Sequence, residues 1–266
     1  MEINYINQAS DILYNSRIQL KKINELPSEC TPQNMEEAYE IQNSLIKKYL
    51  LANKNENIIG KKIGCTNKAA QDQLNIIEPF YGNIFSNYSS KSNCTINADN
   101  FFSPFVEPEF SFKIKNELNV SGAPYTSKEV YKYIDSVLPS IELVDTRYTD
   151  WTTIGINNLI ADNAANAYWI YGDEIKDLDS FDFSNYPVLL YINDKISCKG
   201  NAKNVLDNPI NSLTWLINTL ASKGDYLPKD SYISTGTCTP AIPIRKGDKV
   251  CADFGKLGKI KFTFLY

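Results

Sequence analysis

The stretch FVEPEF, residues 105 to 110, limits what this chain can fold into more than any other six residues. Glu107 and Glu109 sit one residue apart in a frame of Phe105, Val106 and Phe110. On an extended segment, side chains i and i+2 share a face, so both carboxylates aim at one place while Pro108 points the other way. Burying two like charges together is costly unless something cationic answers them. A third glutamate, Glu142, sits in PSIELVD, again inside an apolar strand pattern. Three carboxylates on interior strands suggest an oxygen-ligand cation site, and hard oxygen donors favour Mg²⁺, Mn²⁺ or Ca²⁺ over zinc. On spacing alone, glutamates on solvated faces or paired with Lys or Arg are the plainer reading.

The 266 residues contain no histidine. That removes Ser-His-Asp and Cys-His hydrolases and every His-ligated metal site. Acid–base work falls to carboxylates, Lys, Tyr or water. Six cysteines (Cys30, Cys65, Cys94, Cys198, Cys238, Cys251) form no C-x-x-C pair and read as mostly buried thiols. Net charge is −4, with no long basic stretch, which argues against a nucleic-acid partner. No apolar run approaches the roughly 18 residues of a membrane span. The N-terminus lacks the basic start and continuous apolar core of a secretory signal, so a cytoplasmic protein without a membrane partner is expected.

The hydrophobic pattern predicts a helix from residue 2 to about 26 and a second from Pro32 to about Leu51, with Thr31 as its N-cap. These form an N-terminal helical segment, residues 1–55. Residues 56–266 read as a strand-rich body, giving an α+β class. Within it, IIGKKIG is a strand and NKAAQDQL a short helix. SPFVEPEFSFKI is a strand whose proline suggests a bulge or an edge position. TSKEVYKYIDSV reads as a helix capped by Thr126 or Ser127, and PSIELVDTRY as a strand. YPVLLYINDKISCKG is a hairpin turning at Asn193-Asp194, and a helix follows Asn208-Pro209 and stops at Gly224. DSYISTGTCTPAIPI and KVCADFGKLGKIKFTFLY close the chain as strands.

Four further motifs carry candidate chemistry. GKKIG places Lys61 and Lys62 on opposite faces of a strand, so one faces inward; a surface pair is the plainer reading. In STGTCT, Thr235, Gly236, Thr237 and Thr239 would offer N–H and hydroxyl groups to an anion, or form a plain loop. ADFGKLG lacks the other kinase motifs, so that reading is rejected. In IADNAANA, Asp162 and Asn163 look like caps opening a small-residue helix, with an indirect role beside a metal as the alternative.

The ordered set GKKIGCT, EPFYG, VEPEF, PSIELVDTRYTDW, IADNAANA, NPINSLTWL, STGTCT and DFGKLG resembles the 2-keto-4-pentenoate hydratase and 4-oxalocrotonate decarboxylase branch of the fumarylacetoacetate hydrolase superfamily. The resemblance runs from about residue 33 to the end. It implies a mixed β-roll or barrel-like body behind the N-terminal helices, and homo-oligomeric assembly. It implies Mg²⁺ or Mn²⁺ held by Glu107, Glu109 and Glu142, and a catalytic lysine at Lys62. The turn from Thr235 to Thr239 would lie near the carboxylate of a small-molecule 2-oxo acid. The implied function is a metal-dependent hydratase of a 2-hydroxy-dienoate or 2-oxo acid through a chelated enolate. A 2-oxo diacid decarboxylase on the same site and a non-catalytic metal- and ligand-binding paralogue are the alternatives. Hydrolases of this fold use a Glu–His pair, which a chain without histidine cannot supply. Where typical hydratases carry P-D-[FY]-G, this chain has Pro79-Phe80-Tyr81-Gly82, so Phe80 replaces the aspartate. Phe80 and Tyr81 are expected to line an apolar pocket.

Overall fold

In the computed structural model, which describes all residues except 75, 119, 152 and 266, two helices lead into two sheets. Helix α1 spans Ile3–Gln19 and α2 spans Met35–Ala52. Strand β1 (Ile58–Gly64), helix α3 (Lys68–Leu74), and strands β2 (Phe80–Phe85), β3 (Ser89–Lys91), β4 (Cys94–Asn97) and β5 (Phe105–Ile114) follow. Next come α4 (Ser127–Tyr131), β6 (Ile134–Val144), α5 (Ile156–Ala161), β7 (Asn166–Tyr171), β8 (Pro187–Ile192) and β9 (Lys195–Asn201). The chain closes with α6 (Pro209–Ser222), β10 (Tyr232–Thr237), β11 (Ile242–Pro243), β12 (Lys249–Asp253) and β13 (Lys259–Leu265).

One mixed sheet has the order β2-β1-β10-β5-β6-β7-β3, with β11 added beside β5; the other has the order β4-β13-β12-β8-β9. Alternation along β5 decides how they meet. Val106, Phe110, Phe112 and Ile114 are all buried in the main core, and Pro108 is buried on the same face. There Phe110 meets Phe183, Tyr186 and Phe254 edge-on, with ring centroids 5.9, 5.8 and 5.2 Å apart. Glu107, Glu109, Ser111 and Lys113 take the other face. The first sheet curls around that face, where Ile84, Leu138 and Trp169 form a small separate cluster. The N-terminal helices bury Ile6, Ala9, Leu13, Ile41 and Leu45 together with Phe85, Tyr148 and Ala161 of the body.

Several local expectations change. Helix α1 stops at Gln19, where Leu20 turns left-handed at φ 50° and its N–H returns to Arg17 and Ser16. The cap of α2 is Asn34, whose side chain accepts from the Glu37 N–H; Thr31 instead bonds the carbonyls of Leu26 and Pro27. Pro108 lies in an interior strand, not at an edge. Its sheet tolerates it because the register of β10 shifts between Ser234 and Thr237 directly alongside. Thr126 does cap a helix, in a full capping box with Glu129, but that helix ends at Tyr131 and Ile134–Val137 already belong to β6. Asp162 and Asn163 do not cap a right-handed helix: α5 ends at Ala161, and Asn163–Ala165 form a single 3-10 turn that is left-handed at φ 51, 54 and 56°, with no side-chain cap from Asp162. All six cysteines are free thiols; Cys30 and Cys238 are buried, and the other four are half-buried.

Candidate metal centre

Cross-strand register assembles the carboxylates. Glu107 of β5 stands directly opposite Glu142 of β6, and Glu109 stands opposite Ser140. Ligand oxygens of Glu107, Glu109 and Glu142 lie within 4.8 Å of one another. Glu109 and Glu142 are fully buried. Glu107 is half-buried and lines a cavity of about 900 Å³. Lys62, in β1, is 3% exposed and lines the same cavity. Its Nζ lies 3.2 Å from Glu142 Oε2 and donates to the Ala164 carbonyl at 3.1 Å.

Neighbouring side chains fix one oxygen of each inner carboxylate. Glu109 Oε2 accepts from Ser234 Oγ at 2.6 Å and from the Gly236 N–H at 2.9 Å. Glu142 Oε1 accepts from Asn166 Nδ2 at 2.9 Å. The opposite oxygens, Glu109 Oε1 and Glu142 Oε2, are buried without a hydrogen bond; the approach of Lys62 to the latter is an ion pair lacking hydrogen-bond geometry. Three carboxylates face one ammonium, and full ionisation would leave two negative charges uncompensated in a desolvated place. Burial, reinforced by the Glu142 charge, pushes the Glu107 carboxyl up to about 7. Burial and both neighbouring carboxylates lift Glu109 well above the ordinary range. Burial pulls the Lys62 ammonium down, but the surrounding glutamates more than offset this and raise it, so Lys62 stays protonated. Hard oxygens without hydrogen bonds, three carboxylates against one ammonium and an adjoining cavity fit a divalent cation such as Mg²⁺ or Mn²⁺.

The other singled-out residues divide. Phe80 lines the cavity, 5.8 Å from Lys62 Nζ to its ring centroid. Tyr81 projects from the opposite face of β2, where its ring stacks on Tyr39 at 4.5 Å, away from the carboxylates. Lys61 shares that outer side and donates to Asn83. Thr237 and Thr239 line the cavity; Thr235 is buried and donates to the Phe110 carbonyl. Asp162 holds Arg147 in a buried ion pair. Asn163 receives the Asn83 N–H at 2.8 Å and donates to its carbonyl at 3.0 Å, pinning the left-handed turn that presents Ala164 O to Lys62. Sequence reading does not single out Ser234, Asn166 or Thr66, although all three lie inside the quoted motifs. An acceptor on a buried carboxylate needs a donor from an adjacent strand, and that signal exists only once register is known.

No protein-family model matches the chain. Individual relatives do. The 2-oxo-hept-4-ene-1,7-dioate hydratase of Escherichia coli is 33% identical over 236 residues, covering 87% of each chain. The 2-hydroxypent-2,4-dienoate hydratase of Pseudomonas putida is 31% identical over 226 residues, 84% of this chain and 99% of the relative. Among solved structures, the 4-oxalocrotonate decarboxylase of Pseudomonas putida G7, complexed with magnesium and adipate, superimposes with a TM-score of 0.93 at 25% identity, covering 100% of this chain and 99% of that one. With relatives of this identity and coverage on a shared fold, the chain belongs to the 2-keto-4-pentenoate hydratase and 4-oxalocrotonate decarboxylase branch of the fumarylacetoacetate hydrolase superfamily.

Proposed function

We propose that this protein is a metal-dependent hydratase, a lyase that adds water to a 2-hydroxy-dienoate or related 2-oxo acid. The observation that carries the reading is the trio Glu107, Glu109 and Glu142, gathered within 4.8 Å beside Lys62 at one end of the cavity. These three carboxylates would hold Mg²⁺ or Mn²⁺, the class of ion present in the magnesium complex of the related decarboxylase. When bound, the cation supplies Lewis-acid stabilisation of charge on the oxygens of a chelating 2-oxo acid. Lys62 contributes a fixed ammonium on the cavity wall, held between Glu142 and Ala164 O. A protonated lysine there stabilises enolate charge on the substrate oxygen as it develops. Phe80 and Phe105 line the walls of the cavity and limit water around the conjugated chain. A small-molecule substrate, a cytoplasmic setting and homo-oligomeric assembly complete the reading, the last two supported by family resemblance.

A second reading, decarboxylation of a 2-oxo diacid, is favoured by Phe80. An apolar ring stands where hydratases of the branch carry an acid, and the related structure with TM-score 0.93 is a decarboxylase. The test is to supply 2-hydroxypenta-2,4-dienoate and 4-oxalocrotonate separately with Mg²⁺, following water gain and CO₂ release. Hydration of the first without CO₂ from the second supports the hydratase. CO₂ release supports the decarboxylase, and neither product identifies a non-catalytic paralogue. In either active case Lys62→Ala is expected to keep Mg²⁺ binding and to lose about 10²–10³ in kcat, the usual range for removing one group that stabilises developing charge. Unchanged kcat would remove Lys62 from the mechanism.

A further inference from the structure

The threonine-rich turn beside the carboxylates has these donors already committed, partly within itself and partly to β5. Thr235 Oγ1 donates to Phe110 O at 2.7 Å, Thr237 Oγ1 to Thr239 O at 2.8 Å, and Thr239 Oγ1 to Pro240 O at 2.9 Å. The backbone N–H groups of Gly236, Cys238 and Thr239 go to Glu109, Pro108 O and Thr237 Oγ1. Among the described residues the hydroxyl that differs is Thr66. Thr66 is 1% exposed and lines the cavity, and its Oγ1 has no hydrogen-bond partner. An orphaned buried hydroxyl is destabilising, so a chain that keeps one gains something from it elsewhere.

Its location says what. Gly236, at φ 104°, lies so close that a Cβ built on it would stand 1.9 Å from Thr66 Oγ1. The same Gly236 donates its N–H to Glu109 Oε2. Thr66 therefore borders the Glu109 side of the trio, while Lys62 borders the Glu142 side. A 2-oxo acid offers two neighbouring oxygen sites, one ionised at C1 and one at C2, and would span the two sides.

We propose that the Thr66 hydroxyl is a substrate-positioning group that donates a hydrogen bond to a C1 carboxylate oxygen of the 2-oxo acid. The assignment rests on the metal-dependent 2-oxo acid site proposed above. It gives Thr66 the anion-binding role that the 235–239 turn cannot fill with its committed hydroxyls. It also accounts for glycine at 236, since any side chain there would meet the hydroxyl.

The test is calorimetric binding of oxalate in the presence of Mg²⁺ to the parent protein, Thr66→Val and Thr66→Ser, together with thermal melting of each without ligand. Loss of one hydrogen bond to a charged acceptor is expected to weaken oxalate binding about ten- to hundredfold in Thr66→Val. Thr66→Ser should stay within about threefold of the parent, and Mg²⁺ affinity should be unchanged in both. Ligand-free Thr66→Val should melt no lower than the parent, because it loses an unpaired hydroxyl; a merely structural threonine would lower the melting temperature instead. Parent-like oxalate binding by Thr66→Val overturns the role of Thr66 alone. Oxalate binding absent from the parent itself overturns the 2-oxo acid site and, with it, this assignment.

Discussion

Two buried charge clusters lie on either side of the left-handed turn at Asn163–Ala165, and they are built in opposite ways. Arg147 and Asp162 close on each other. Arg147 Nε and backbone N reach the two oxygens of Asp162, Thr146 Oγ1 adds a third donor, and Arg147 Nη2 takes the Asp162 carbonyl. Charge balances and the oxygens are satisfied. In the glutamate trio the carboxylates outnumber the ammonium, and two of their oxygens accept no hydrogen bond, one of them being only ion-paired with Lys62. Glu109 and Glu142 are as buried as Arg147 and Asp162, so burial alone does not separate a structural ion pair from a binding site. The separating features are the residual charge, the orphaned oxygens and a cavity against which one member stands.

The sharpest way to break this contrast is to unbalance the satisfied cluster. Arg147→Ala strands the Asp162 carboxylate and is expected to cost about 3–5 kcal/mol of stability in chemical denaturation. A loss under about 1 kcal/mol would mean that the pair is not holding the turn. A smaller effect is expected from Asn166→Ala, which frees Glu142 Oε1 without touching the cavity. Mg²⁺ affinity should fall about 10–100-fold with little change in metal-free melting. The smallest concerns pH. Glu107, raised from 4.5 to about 7, and Glu109, also raised, bind more protons in the folded than in the unfolded chain across that window. Their contribution to stability is therefore lost as pH rises through it. Metal-free protein should melt a few degrees lower at about pH 7.5 than at about pH 5, and saturating Mg²⁺ should remove that decline. A flat metal-free profile would argue that the carboxylates are not mutually destabilising.

Much of this contrast was legible in the residues, and the reasons for the remainder are physical. Two-residue periodicity placed Glu107 and Glu109 on one face, and β5 obeys it. The hairpin at Asn193-Asp194 forms because both residues tolerate the left-handed angles observed, φ 51 and 61°. The cap of α2 moved three residues because Thr31-Pro32 and Asn34-x-x-Glu37 are both start signals. Glu37 settles the choice by also accepting the Gln33 N–H and the N-terminal ammonium. Three consecutive left-handed residues, two of them alanine, have no sequence signature. They exist because Asn163 is tied to Asn83, eighty residues away. The same limit explains Tyr81 and Thr235, whose hydroxyl or ring chemistry suggested the cavity but whose strand parity turns them from it. Asp162 stood out as an acid near the site, yet its partner Arg147 passed unnoticed until the chain was folded.

The most direct test of the central claim, that the trio is a divalent-cation site, is Mn²⁺ titration followed by electron paramagnetic resonance. The parent protein is compared with Glu109→Gln. One bound Mn²⁺ per chain, displaced by Mg²⁺ and lost in a Glu109→Gln variant that still folds, is the expected result. An equal Mn²⁺ occupancy in both proteins, or none in the parent, would contradict it and leave the three glutamates as a buried cluster without a cation.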